Sequence, residues 1–218
     1  MKDFLSLATS RRSIRKYLDR NIPDEDLRHF IDAAVNAPSG CNSQCWYFVV
    51  IKDKAVIQRM AAAVVEKTFE FYGKVIPPDG DKSEFQAFLE TKGRAATFFV
   101  NAPAVIAVFM TKLTYYDPRI TGLFEDMGYS YEAMMERMSW PDVLSIGAAI
   151  QNMLLAIHER GYGACWMNEP AIAGDRMNGI LGVPGDCRFI SLIPVGIPSY
   201  VPKAKTCKKF ENTFKIVG

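Results

Sequence analysis

Two short stretches concentrate side chains able to do chemistry. The first is "SRRSIRKY", Ser10 to Tyr17, which sets Arg11, Arg12, Ser13 and Arg15 within five positions. A guanidinium offers a planar fork of donors that matches the oxygens of a phosphate, and a hydroxyl adds one more donor. The plainer reading of such a cluster is a solvated basic surface. The second stretch is "APSGCNSQCW", Ala37 to Trp46, where Cys41 and Cys45 stand four apart among small polar residues. Either these thiols are reactive, which small polar surroundings allow, or the loop serves a purpose carried by its other residues. A third group of charges lies in "PKAKTCKKF", with Lys203, Lys205, Lys208 and Lys209. Alone it reads as a solvated tail; folded back beside the N-terminal arginines, it would help neutralise one phosphate.

The bulk of the chain narrows the chemistry. Its 218 residues suffice for one domain with a sizeable core. A net charge of +2 gives no electrostatic reason to expect nucleic acid or a membrane surface as partner. No apolar run approaches the roughly 20 residues that span a bilayer, and the opening residues lack the apolar core of a signal peptide, so a cytoplasmic location is expected. Five cysteines are an odd number in a chain that needs no staples, which argues against a disulfide framework. The two histidines, His29 and His158, sit in helix-like surroundings and no C-x-x-C pair occurs; no metal site is expected. The glycine patterns of Rossmann and P-loop phosphate sites are missing, which disfavours a Rossmann-held nicotinamide and an ATPase.

The elements that must position these stretches are legible in outline. Pro23 and the acids Asp24, Glu25 and Asp26 open a helix running to about Val35, with Leu27, Phe30, Ile31 and Ala34 on one face. The apolar run Trp46 to Ile51 predicts a buried strand, followed by a helix from Lys54 to about Phe71 and a break at Pro77 to Asp81. A further helix is expected over Ser83–Thr97 and a buried strand over Pro103–Phe109. Residues 111–141 have a broken pattern, and read either as a lid over a pocket or as a surface excursion. The clearest helix runs from about Asp142 to Arg160, apolar over so much of its circumference that more than one neighbour must cover it. Gly161 and Gly163 end it. "ACW" begins a strand, "DRMNGIL" forms a short helix and "CRFISLIPVG" a last strand. Helices and strands without regular alternation predict an α+β fold, helices packed about one sheet.

Together, "RRSIR", "APSGCNSQCW" and "SIGAAIQNMLLAIHERGYGACWM" occur in the order found in the nitroreductase superfamily, and the chain resembles those FMN-dependent flavoproteins along nearly its whole length. The resemblance implies a central mixed, mainly antiparallel sheet surrounded by helices, and an intertwined homodimer with FMN at the subunit interface. It assigns Arg11, Arg12, Ser13 and Arg15 to the phosphate and ribityl end, with Arg11, Ser13 and Arg15 as the leading side-chain contacts. Pro38, Ser39 and Gly40 would reach the flavin held chiefly by the other subunit. Asn42 and Gln44 would shape that loop or touch the cofactor. The backbone of Trp166, Met167 and Asn168 would border the ring near N5, and Lys205 or Lys208 would supply the C-terminal cation. The implied activity is a ping-pong exchange in which NADH or NADPH reduces the flavin and leaves, and a nitroaromatic, quinone or similar electron-poor molecule takes its place. The P-S-G form of the loop also resembles the iodotyrosine deiodinase branch, although no Glu, Tyr and Lys set for a substrate's amino-acid end can be placed. Two other classes stay open: a thiol redox protein without flavin, and a flavin-binding protein without turnover. Acceptor specificity is expected within Thr111–Pro141 and around Phe69–Asp81.

Overall fold

The computed structural model describes residues 3–74, 82–111, 122–124, 126–204, 206 and 213–217. Helix α1 (Phe4–Ser10) is capped by the Asp3 carboxylate, which accepts from the Ser6 amide. None of its residues is buried, and Phe4 and Leu5 stand 70% and 66% exposed, so its apolar side lies open in the single chain. Helix α2 (Asp24–Val35) starts after Pro23, which is its N-cap rather than its first residue, with three acids in the positive first turn. Leu27, Phe30 and Ala34 are buried as the spacing predicts.

Strand β1 (Trp46–Ile51) occupies the same residues as the apolar run. Helix α3 (Lys54–Gly73) follows, capped by Asp53, whose carboxylate accepts from the Ala55 and Val56 amides. Helix α4 (Lys82–Thr97) packs along it and leads to strand β2 (Ala104–Met110), buried throughout. Helix α5 (Tyr131–Arg137) precedes the central helix α6 (Pro141–Glu159). Strand β3 (Gly163–Ala164), helix α7 (Gly174–Leu181) and strand β4 (Arg188–Gly196) complete the described elements.

The sheet order is β1-β2-β4-β3 and every neighbouring pair is antiparallel. Among the described residues the expected mixed character shrinks to one isolated parallel bridge, between Ser13 and Ala164. Because β2 is central, its alternate residues serve two cores. Ala104, Ile106 and Val108 face the layer of α2 and α6, while Val105, Ala107 and Phe109 face α3 and α7. Each fully buried Ile or Phe contributes about 1.5–3 kcal/mol relative to exposure, so this two-sided burial anchors the sheet.

Helix α6 buries Ile146, Ile150, Met153 and Ile157 as its breadth predicts, yet Val143 and Leu144 in its first turns remain 39% and 63% exposed. At its other end Asp26, itself buried, accepts from the Arg160 guanidinium at 2.6 Å and the Tyr162 hydroxyl at 2.7 Å. That tie locks α2 to the turn leaving α6. No helix among the described residues is long and apolar enough to cross a membrane. The break expected at Pro77–Asp81, and residues 75–81 of the expected specificity region, lie outside the described residues. So do 112–121 and 125 of the 111–141 segment, and Lys205, Lys208 and Lys209.

Candidate functional site: a cleft along the sheet edge

After α1 the chain runs extended along the outer edge of β3. The Ile14 amide donates to the Ala164 carbonyl at 2.9 Å, and Leu18 and Ser199 exchange backbone bonds with Ile197 and Lys16. An extended segment alternates sides. Ile14 is accordingly buried, while Arg11, Ser13 and Arg15 line an open cleft on the other side. Gly163 makes this seating fit, for a Cβ there would lie 2.5 Å from Ile14 Cγ1 and 2.9 Å from the Pro198 ring. Tyr17 bolts the segment down. Its hydroxyl is shared between the Ile14 carbonyl at 2.5 Å and the Pro194 carbonyl at 3.1 Å. Burial holds that hydroxyl protonated well above the usual tyrosine range, and Cys165 and Tyr200 reinforce the effect.

Arg12 is tied to the backbone: its Nη1 donates to the Thr9 and Arg11 carbonyls and its Nε to the Lys203 carbonyl at 3.2 Å. The cleft, about 390 Å³, is lined by Arg11, Arg12, Ser13, Arg15, Tyr200, Pro202 and Lys203. Lys203 is therefore the described member of the basic tail that meets the arginines.

Arg15 also borders a second cleft of about 210 Å³, with Ala95, Phe98, Cys165, Trp166, Met167 and Glu169. Its guanidinium stands 5.9 Å over the Phe98 ring. Met167 is fixed by two backbone bonds to Leu192, at 2.9 and 3.0 Å. Asn168 is exposed and caps the turn Glu169–Ala173, its carbonyl accepting from Ala171. Burial pushes the Cys165 thiol up, against the opposing pull of Arg15, the Ser13 hydroxyl and Arg11. The two clefts share Arg15 as a common wall, cationic on one side and aromatic on the other.

The "PSGCNSQ" loop forms a different structure. Cys41, Asn42 and Gln44 all adopt the left-handed region, with φ of 50°, 54° and 47°, a conformation costing about 1–2 kcal/mol per non-glycine residue. Hydroxyls offset this strain. Ser39 Oγ accepts from the Gln44 amide at 3.1 Å, and Ser145 Oγ accepts from the Gly40 amide at 3.1 Å while donating to the Pro141 carbonyl. The Gln44 side chain donates to Asn42 Oδ1 at 3.2 Å. Cys45 is 1% exposed, its Sγ 3.8 Å from the Asp142 carbonyl, and burial pushes its thiol up. Neither property suits a reactive thiol; Cys41 is exposed on the loop surface.

Within one chain these two groups do not meet. The loop is tied to Ser145, whereas the arginine segment adjoins the far end of α6, where Ser10 Oγ lies 2.8 Å from His158 Nε2. Those anchor points are about 20 Å apart along the helix axis. Trp166 lies between, its indole Cη2 3.5 Å from where a Cβ on Gly147 would stand. Gly147 thus faces an indole of its own chain. Tyr17, Phe98, Tyr200 and Gly163 are the site residues that sequence reasoning passed over. Tyr17 and Gly163 lie inside the quoted motifs, but nothing in their spacing announces a contact between residues some 150 positions apart.

The nitroreductase family model matches residues 8–197. A candidate NADH dehydrogenase/NAD(P)H nitroreductase of Archaeoglobus fulgidus is 28% identical, over 91% of this chain and 87% of its own. An iodotyrosine deiodinase of Thermotoga neapolitana is 25% identical, over 94% and 93%. The crystal structure of a BluB-like flavoprotein from Clostridium difficile 630 is similar over the whole of both chains, with a TM-score of 0.84 at 26% identity. With the matched region spanning nearly every described element, the chain belongs to the nitroreductase family.

Proposed function

We propose that the chain is an FMN-dependent oxidoreductase that takes electrons from NADH or NADPH and passes them to a quinone, nitroaromatic or similar electron-poor small molecule. The observation that carries this reading is the divided cleft meeting at Arg15. One half offers guanidinium, ammonium and hydroxyl donors suited to a phosphate; the other offers Phe98, Trp166, Met167 and Ala95 to a flat ring, with Glu169 also in its lining. The donor set therefore fits a molecule with a phosphate at one end and a ring at the other. Bound FMN would supply hydride acceptance and return at its N5.

The residues do the rest. Arg11, Ser13 and Lys203 bind the phosphate end, and Arg12 keeps the Lys203 segment in place to do so. Arg15 spans to the ring end, where the backbone at Trp166, Met167 and Asn168 sets the floor. In the overall reaction NAD(P)H gives up a hydride, solvent supplies a proton, and a quinone leaves as the hydroquinone. The protein needs no nucleophile, and the buried thiols of Cys45 and Cys165 are not used.

The working unit is a homodimer of single-domain subunits. Ser39, Gly40, Asn42 and Gln44 sit at the opposite end of α6 from the arginine-lined cleft of their own chain, and a second copy lying antiparallel along α6 would deliver them to it. Exposed Phe4, Leu5 and Leu144 give that copy an apolar surface to cover.

Purified protein should be yellow, release FMN on denaturation, sediment as a dimer and bleach anaerobically with NADH or NADPH. A colourless protein, or a flavin that stays oxidised with both donors, overturns the proposal. The deiodinase likeness favours a second reading, reductive dehalogenation. Release of iodide from 3-iodotyrosine under reducing conditions is its test, and loss of bound FMN during aerobic turnover would point to cleavage of the flavin instead.

A further inference from the structure

On the Ile14 side of the arginine segment lies a separate cavity of about 170 Å³. Its floor is apolar. Leu154 and Ile157 come from the last turns of α6, and buried Ile14 and half-buried Pro198 from the segment and the strap beside it. At the rim Ser10 Oγ stands 2.8 Å from His158 Nε2, which pins the end of α1 to α6.

The charge of this cavity comes from Arg11 and Arg12, which line it and the phosphate cleft alike. The two are not equivalent. Arg12 is tied to the Thr9, Arg11 and Lys203 carbonyls. Arg11 is half-buried, and among the described residues its guanidinium makes neither a hydrogen bond nor an ion pair. A guanidinium with open donors beside apolar walls suits an anion that carries an apolar body. Volume sets the body, for a cavity of about 150 Å³ accommodates benzene. The charge follows from the single uncommitted guanidinium, whose fork matches the two oxygens of one carboxylate. The neighbouring cleft, with Arg11, Arg15 and Lys203, offers the larger cationic set that a phosphate needs.

We propose that this cavity is a regulatory site for a small monocarboxylate with one compact apolar group, whose carboxylate engages Arg11 and so weakens the hold on FMN. The carboxylate and the phosphate draw on one guanidinium from two sides, so each ligand lowers the affinity for the other by the same factor. Binding stands on the cavity alone; the coupling rests on the reading of the neighbouring cleft as the FMN phosphate site.

Benzoate is the probe, with benzyl alcohol as its uncharged match and acetate as its match without the ring. Calorimetry on the FMN-loaded enzyme should show benzoate binding about tenfold tighter than either, the scale of a charge-assisted pair. Fluorescence of FMN released on dilution should show its dissociation constant raised about tenfold by saturating benzoate, within the usual range for coupled sites. Leu154→Phe fills the floor from α6 and should hold FMN as the wild type does, while losing both benzoate binding and the benzoate effect. If that variant does not fold, Ser10→Trp, at the exposed end of α1, closes the rim from outside and should do the same. Benzoate stacked on the flavin itself would shift the flavin absorbance, slow FMN release and survive both substitutions. That outcome, or no benzoate binding, overturns the proposal. Binding that both substitutions abolish, with FMN affinity unchanged, overturns the regulatory role. A colourless wild-type protein overturns the parent reading and the coupling with it, while benzoate calorimetry on that protein still decides the cavity.

Discussion

The arginine segment and the "PSGCNSQ" loop occupy opposite ends of α6 and are built on opposite principles. The first has ordinary extended backbone, and its value lies in side chains: alternation puts Arg11, Ser13 and Arg15 on one side while buried Ile14 holds the other. The second has few side chains pointing anywhere distinctive. Its value lies in a backbone forced through three left-handed residues and braced by two serine hydroxyls. A motif can therefore be read for its side chains in one place and for its backbone shape in another, and substitutions should divide along that line.

The largest expected effect comes from removing the seat of the arginine segment. Gly163→Val places atoms within the radius of Ile14 and should cost about 3 kcal/mol of stability, the upper end of typical overpacking, read as a lowered unfolding midpoint. Next, Arg15→Ala leaves the fold intact but should weaken FMN binding by about 2 kcal/mol, in line with hydrogen bonds to charged groups. Titrating the apoprotein with FMN checks it; an affinity unchanged from wild type would break the side-chain account of this end.

At the other end Ser145→Ala leaves the Gly40 amide without its acceptor and should cost about 1 kcal/mol, measured by denaturant unfolding. An alkaline limb bears on the tie between α2 and α6. Burial and the hydrogen bond to Asp26 push the Tyr162 hydroxyl up to about 12. The folded state then keeps a proton that the unfolded chain releases near pH 10, so this contribution is complete below about pH 10 and lost as pH rises toward about 12. Tyr162→Phe should flatten that part of the stability profile, and Tyr17, raised by burial as well, should leave a remainder. The smallest effect is the most pointed. Cys41→Gly should gain about 0.5 kcal/mol by relieving a positive φ and leave turnover unchanged, whereas a protein whose thiol did the chemistry would lose it.

Much of this was legible from the chain. The run "WYFVVI" marked β1 to the residue, because a short apolar stretch rich in β-branched and aromatic side chains has few other stable uses. The breadth of the Asp142 to Arg160 pattern marked α6, which runs one residue earlier at each end. Pro23 proved a cap because its own ψ of 143° lies outside the helical region. The sheet's two-faced burial was implied by the unbroken apolar runs. What was not legible is close approach. Gly163 read as a helix stop although its lack of a side chain also admits Ile14, and nothing in the pattern around Gly147 announced the Trp166 indole beside it. Local pattern encodes which face is buried; it does not encode which atom arrives there.

The arginine segment is also a matter of timing. Its partners are Ala164, Ile197, Ser199 and Lys203, and the Arg12 bond to the Lys203 carbonyl closes a separation of 191 residues. A motif made some 150 to 190 residues before its partners is thus among the last of these elements to find its place, since it must wait for a strand and a strap that follow it along the chain. Until then three cationic side chains trail beside a half-built sheet. The cleft beside Arg11 and Arg15 should therefore form abruptly, once residues 197–203 are in place, rather than grow with chain length.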